Sequence, residues 1–468
     1  PPPRPGAPVS KARRARAMDA ADSAVALGLP PSAGDSAWVL ASAALVLLMT
    51  PGLAFFYGGL VRDTSIINTM MMSIIAMGVI SVIWALFGFS LAFAEQCPFI
   101  GNFDHAVFRG LDETTWPGTA IWSLVFGVYQ MTFAIIAAAI LSGSLVERIR
   151  FRAYVLLIAL WSLLVYVPLC HWVWGRGGWM EHWGAKDFAG GTVVHISSGT
   201  SGLTAAVLLG PRRHKQGEED KPHNVPFVLL GAALLWFGWS GFNGGSALAA
   251  DAVAARALAA TYLAAASSML SWVAVESVCL KQPSSIGAMV GAVAGLVVIT
   301  PAAGFVSPWG AMVMGAVGAP VCYASVGALG RLESVDDTLD AFGLHGVGGF
   351  TGAVLTGLFD VDGGLFYGGG PALLGKQIVC ALIGGAWSVA MTGLIFLALR
   401  CVMRVRVLGH QEADGVDQTV HGEQAYAAHT PSKAYKTPDA TSKRSHGDEN
   451  SEANSEADFG ELHSNVVV

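Results

Sequence analysis

Apolar residues in this chain gather into runs of about 20, the helical length that crosses roughly 30 Å of hydrocarbon, and short polar turns separate the runs. They lie near 37–61, 67–94, 119–145, 151–174, 190–210, 225–248, 254–280, 285–306, 309–330, 340–359 and 373–402. The pattern predicts an all-α polytopic membrane protein with eleven transmembrane helices. An odd number of crossings puts the two chain ends on opposite sides of the membrane.

Composition sharpens that reading. Of 468 residues, 53% are hydrophobic and only 13% charged, against about 25% charged in a soluble domain. The net charge of -6 says little, because much of it lies in an acidic tail. Cys97, Cys170, Cys279, Cys322, Cys380 and Cys401 are scattered with no C-x-x-C pair, so they read as packing residues rather than a metal site or disulfide framework. No nucleophile–base pair, phosphate loop or metal-ligand cluster stands out. An enzyme, a cofactor, a metal and a nucleic-acid partner are therefore not expected; the lipid bilayer is.

Lys and Arg favour the cytoplasmic loops, and here they divide unevenly. One set of alternate loops holds Arg62, Arg148, Arg150, Arg152, Arg212, Arg213, Lys215, Lys221, Lys281 and Arg331, with Arg404 and Arg406 just after the last span. The other set holds Arg109, Arg176, Lys186, Arg256 and Lys376. The expected orientation is N-terminus outside and C-terminus cytoplasmic. Residues 1–17, PPPRPGAPVSKARRARA, place basic residues on the outer side and so conflict with it. Reading them as sequence upstream of a working start at Met18, or as a processed targeting segment, removes the conflict.

Within the apolar runs two histidines stand out, His195 in GGTVVHISSGTSGLTAAVLLG and His345 in DAFGLHGVGGFTGAVLTGLF. An ionisable side chain at membrane depth costs a few kcal/mol and marks a substrate or proton path. Each follows an aspartate at the same spacing, Asp187 and Asp337, and an aspartate there also suits a helix N-cap. Asp340 is a second candidate for the cap before His345. The histidines fall in the fifth and tenth spans. Five is odd, so two five-helix halves run in opposite directions, followed by one final helix, with the site at their interface. Glu276, near a helix end, reads as a pairing or snorkelling side chain.

The segments PGLAFFYGGLVR, ERIRF, DFAGGTVVHIS, GWSGFNGGSAL, FGLHGVGG and HGEQAY occur in order between about residues 37 and 427. Together they resemble the ammonium transporter family, comprising the Amt, methylammonium permease and Rhesus proteins. The resemblance implies transport of ammonium or methylammonium across the cell membrane by a homotrimer. It implies an external recruitment site at Phe133, Trp174 and Ser246, supported from below by Asp187. It further implies a stacked gate of Phe133 and Phe242, and an apolar pore lined by His195 and His345. Ammonium is close to potassium in charge and size. Aromatic faces, which attract a cation by roughly 2 kcal/mol when desolvated, together with a hydroxyl acceptor, therefore discriminate better than a size filter does. Trp174 and Ser246 favour the Amt and permease branch over the Rhesus branch. Tyr129 stands where that family often has Phe, and Gly245 where it often has Ala.

Four parts of the chain are expected: an N-terminal extracellular segment 1–36, a membrane domain 37–402, a cytoplasmic regulatory segment 403–427 and a tail 428–468. The tail is polar and repetitive, so it is read as disordered. By resemblance the regulatory segment packs against neighbouring subunits, and its Thr419 matches a threonine that is phosphorylated in plant relatives, which implies a kinase or other cytoplasmic regulator. Two other functions fit the same residues less well: an ammonium sensor that signals through its tail, and a Rhesus-like neutral gas channel.

Overall fold

The computed structural model describes residues 29–213 and 222–426. The expectations for residues 1–28, for Lys215 and Lys221 and for the tail 428–468 lie outside the described residues. Eleven long helices carry the described part: α1 (Ala33–Leu60), α2 (Ile66–Phe93), α3 (Ser123–Ser144), α4 (Phe151–Trp183), α5 (Gly191–Leu209), α6 (Val225–Gly245), α7 (Ala252–Cys279), α8 (Ser285–Ile299), α9 (Pro308–Leu329), α10 (Phe342–Phe359) and α11 (Ala372–Val402). A short α12 (Gly409–Asp414) follows. The β pairings among the described residues are isolated bridges such as Ile149 with Arg406. The all-helical polytopic reading therefore stands.

Side chains set most helix starts. Ser32, Asn224, Asp251, Ser284 and Ser307 each accept a hydrogen bond from a backbone N–H in the first turn that follows, which satisfies donors the helix leaves open. Several boundaries differ from the sequence reading, among them the start of α3 at Ser123 and the end of α4 at Trp183. Capping by Ser32 starts α1 at Ala33, earlier than 37. α8 ends at Ile299 and continues as tight turns to Phe305, because Pro301 has no N–H to extend the helix. Among the described residues Glu276 pairs with no cation, and it does not snorkel. It is buried and accepts from the Ser284 amide (2.7 Å) and hydroxyl (2.9 Å), holding the start of α8. The cysteines divide: Cys170, Cys322 and Cys380 are buried in packing, Cys97 is half-buried, and Cys279 and Cys401 are exposed.

α1 packs along the length of α6, and the contact needs glycine. A Cβ on Gly231 would lie 2.2 Å from the Phe56 amide nitrogen. α7 packs against α8 and α9, and α11 lies against α4, α5 and α10. The outward faces of these helices keep Leu270, Val278, Leu394 and Val402 exposed, as a lipid-facing surface requires.

The arrangement of α5 and α10 positions the site. Both begin with a π-helical turn, Gly191–Ile196 and Phe342–Gly346, a widening that recurs at functional sites. They cross in opposite directions. A Cβ on Gly349 would touch the Gly191 carbonyl, and one on Gly199 would touch the Gly346 backbone. Small residues therefore let the two backbones meet, and His195 and His345 face each other at the crossing. Two halves of opposite direction require this antiparallel geometry.

Candidate functional site

One line of rings runs inward from Trp174. The Trp174 indole, half-buried, stands edge-on to Phe133 at 5.9 Å and 89°. Its N–H donates to the Asp187 carbonyl at 2.7 Å. Phe133 stacks on Phe242 at 4.2 Å and 23°, and both rings are buried. Phe242 lies 5.9 Å from His195, whose ring is 5.2 Å from His345. A narrow apolar cavity follows, bounded by Leu53, Ile136, Ile140, Phe242, Val293 and the two imidazoles.

The histidine geometry restricts their protons. Nδ1 of His345 and Nδ1 of His195 are 3.1 Å apart. One nitrogen must carry the hydrogen and the other accept it, so a neutral pair consists of one Nδ1–H and one Nε2–H tautomer. Nε2 of His195 is buried and has no hydrogen-bond partner among the described residues. It is therefore open to a small molecule in the path. A full charge in this lining is far more costly than a neutral amine.

Asp187 closes the start of α5 as expected, and more fully than a simple cap. Its Oδ1 accepts from the amides of Gly190 (2.9 Å) and Gly191 (2.6 Å), and its Oδ2 from Thr192 (2.8 Å) and Val193 (3.2 Å). Burial pushes this carboxyl above the usual range, and the four amides pull the other way. Asp337 does the matching work for α10, accepting from Phe342 N at 2.7 Å and from the Ser144 hydroxyl at 2.5 Å. Asp340 does not share it. Its backbone turns through φ 54°, and its carboxylate bonds no amide of α10.

Ser246 sits at the end of α6, donating to the Phe242 carbonyl at 2.8 Å and lying 3.3 Å from the Tyr129 hydroxyl. Tyr129 is buried, and its hydroxyl is 2.9 Å from the Gly241 and Phe242 carbonyls. It thus braces the Phe242 backbone from behind. Trp239 was not anticipated. It stacks on His195 at 5.5 Å and 19°, and its indole N–H donates to Thr300.

At the opposite end of the bundle, charges counted in the sequence as loop arginines form a network around buried Glu147 and Arg148. Glu147 holds Arg62 (3.0 Å) and Arg212 (2.9 Å). Burial alone would raise its carboxyl, yet these two cations hold it below the usual range. Arg148 donates to the carbonyls of Ser144, Gly210 and Asp336 and to the Thr338 hydroxyl; burial lowers its guanidinium to about 10. Segment 403–426 locks onto this end of its own chain. Glu412 pairs with Arg406 at 2.8 Å and accepts from the Arg213 amide. Asp417 caps α2 through the amides of Ile67 and Asn68. Thr419, half-buried, donates to the Gly415 carbonyl at 2.8 Å.

An eleven-helix bundle enclosing an apolar cavity, with a histidine pair inside and stacked aromatic rings beside it, is the build of a membrane conduction protein. The chain belongs to the Ammonium Transporter Family, which it matches over residues 37–426. An ammonium transporter of Bacillus subtilis is 45% identical over 402 residues, covering 84% of this chain and 98% of the relative. One from Mycobacterium tuberculosis H37Rv is 41% identical over 436 residues, covering 85% and 91%. The crystal structure of Candida albicans Mep2 superposes with a TM-score of 0.77 at 33% identity, covering 81% of this chain and 88% of that one. A structure described as a sensor Amt protein gives 0.77 at 30% identity, covering 83% and 98%. Membership makes the chain a multi-pass protein of the cell membrane with a transport function rather than an enzymatic one.

Proposed function

We propose that this ammonium transporter recruits NH4+ at Trp174, Phe133 and Ser246, passes its proton beyond the Phe133–Phe242 gate to the unpartnered Nε2 of His195 in the histidine pair, and conducts NH3 past His195 and His345. The carrying observation is the continuous file of rings from Trp174 to His345. The faces of Trp174 and Phe133 hold a cation where it is still partly wet. Beyond the gate the lining offers carbon surface and two imidazoles, so the charge is left behind. Asp187 keeps the Trp174 wall in place through its carbonyl and orients α5 through its carboxylate. Methylammonium, with the same charged head, is a second substrate.

Trp174→Leu removes the best cation-binding face and should raise KM for methylammonium by about tenfold with Vmax little changed. A concentration series of labelled uptake measures this. An unchanged KM would show that Trp174 does not recruit the ion.

The membrane domain at 37–402, the C-terminus in the cytoplasm and a homotrimeric assembly complete the reading. The uneven loop charges support the orientation. In this reading 403–427 is a regulatory segment and Thr419 the position at which a cytoplasmic kinase acts. Phosphorylation adds nearly two negative charges two residues from Asp417, whose carboxylate holds the start of α2. Repulsion there loosens the docked segment. Thr419→Asp should therefore lower uptake several-fold, also in trimers mixed with wild-type subunits. Full activity in mixed trimers, or cutting of the segment by protease outside intact cells, contradicts this part of the proposal.

A sensor role is the second reading, favoured by the likeness to the sensor Amt structure. The intact histidine pair weighs toward conduction.

A further inference from the structure

Three residues outside the file of rings hold its entrance. Lys186, immediately before Asp187, is gripped through its backbone by one side chain of α11. Gln377 accepts from the Lys186 amide at 2.7 Å and donates to the Lys186 carbonyl at 2.7 Å. Gln377 is buried, so an unpaired amide there would be costly. The Lys186 ammonium reaches across to Asp360, at 2.7 Å from its Oδ2, and lies 4.9 Å from the Phe305 ring centre.

Asp360 is placed oddly for a structural acid. It is fully buried and lies just past the C-terminal end of α10, where the helix dipole disfavours a negative charge. Its Oδ1 accepts from the amides of Asp362 (3.0 Å) and Gly363 (2.7 Å), which leaves Oδ2 for Lys186. Lys186 is itself a cation one residue from Asp187, whose carbonyl binds the Trp174 indole. A free ammonium here would oppose the entry of a cationic substrate. The pair also ties the loop before α5 to the end of α10, one element from each half.

We propose that Lys186, Asp360 and Gln377 form a clasp that sets the affinity of the recruitment site: Gln377 positions the Asp187–Trp174 wall, and Asp360 is the counter-ion that cancels Lys186. The inference rests on Trp174 and Phe133 recruiting ammonium. All three are positioning residues.

The test uses the full chain reconstituted in vesicles, with labelled methylammonium uptake measured over a concentration series. Two salt levels are compared, about 10 mM and about 150 mM, where charges act over roughly 30 and 8 Å. Asp360→Asn keeps the Oδ1 acceptor and removes only the charge. Its KM should rise about twofold at low salt, the order of effect of one unit charge acting through water over roughly 10 Å, and return toward wild type at high salt with Vmax unchanged. Lys186→Gln leaves Asp360 uncompensated and should lower KM at low salt by a similar factor. The neutral double variant K186Q/D360N should restore the wild-type KM. Gln377→Leu should raise KM equally at both salt levels.

An Asp360→Asn KM that is raised equally at both salt levels overturns the counter-ion role, as does failure of the double variant to restore it. If Asp360→Asn misfolds, the sign of the Lys186→Gln shift decides: a KM that is unchanged or raised overturns the proposal. Trp174→Leu in the same vesicles separates the two readings. If it raises KM while the clasp variants do nothing, only the clasp fails; if it too does nothing, the recruitment reading fails.

Discussion

Asp187→Ala is expected to reduce ammonium uptake to background. The carboxylate takes four backbone amides at the start of α5, and alanine leaves all four buried without a partner. Each unpaired buried donor costs about 1–3 kcal/mol, more in sum than a π-helical first turn can absorb unchanged. The turn carries His195, so the histidine pair loses its register. The preceding carbonyl loses its fixed place as well, and with it the hydrogen bond from Trp174. Asp187→Asn keeps one carbonyl oxygen as acceptor for two of the amides and should retain partial activity. Uptake normalised to surface expression measures both variants. Near-normal uptake by Asp187→Ala would mean that the cap is dispensable.

The second large effect concerns the two imidazoles. At 3.1 Å between Nδ1 atoms, each ring fixes the proton of the other, so alanine at either position frees the remaining ring to take either tautomer. Each single change, His195→Ala or His345→Ala, should abolish or strongly alter ammonium transport. The double variant should be no worse than the more severe single, because contacting residues lose their effect together. His195→Glu is a sharper probe. It keeps a titratable group against Trp239 and Phe242, and flux should persist while potassium begins to pass as a charged ion.

Much of this arrangement was readable from the chain, and the reasons are physical. His195 and His345 are conspicuous because an ionisable group in an apolar run needs a purpose. Their matching aspartates reveal the antiparallel pair because the distance from cap to histidine is local. Phe133, Phe242, Trp174 and Ser246 are assigned by resemblance; nothing in the spacing singles out Phe133 among the 22 phenylalanines of the chain. Trp239 stayed hidden among 14 tryptophans for the same reason. The ion network was invisible because its partners are remote: Arg148 and Asp336 lie 188 residues apart. Arg62, Arg148, Arg212 and Arg406, which the sequence reading uses only to orient the chain, are thus paired with acids at this end of the bundle. The early end of α8 was missed because 300–306 is as apolar as a helix, and only Pro301 marks the break.

The central claim, conduction of ammonium through the twin-histidine path, is tested most directly in vesicles of purified protein. Current and labelled methylammonium uptake are measured together, for wild type and for the H195A/H345A double variant. The expected result is saturable uptake by wild type, competed by ammonium, and its loss in the double variant at equal protein incorporation. Near-normal, selective uptake by the double variant would contradict the account and leave the two histidines as packing residues.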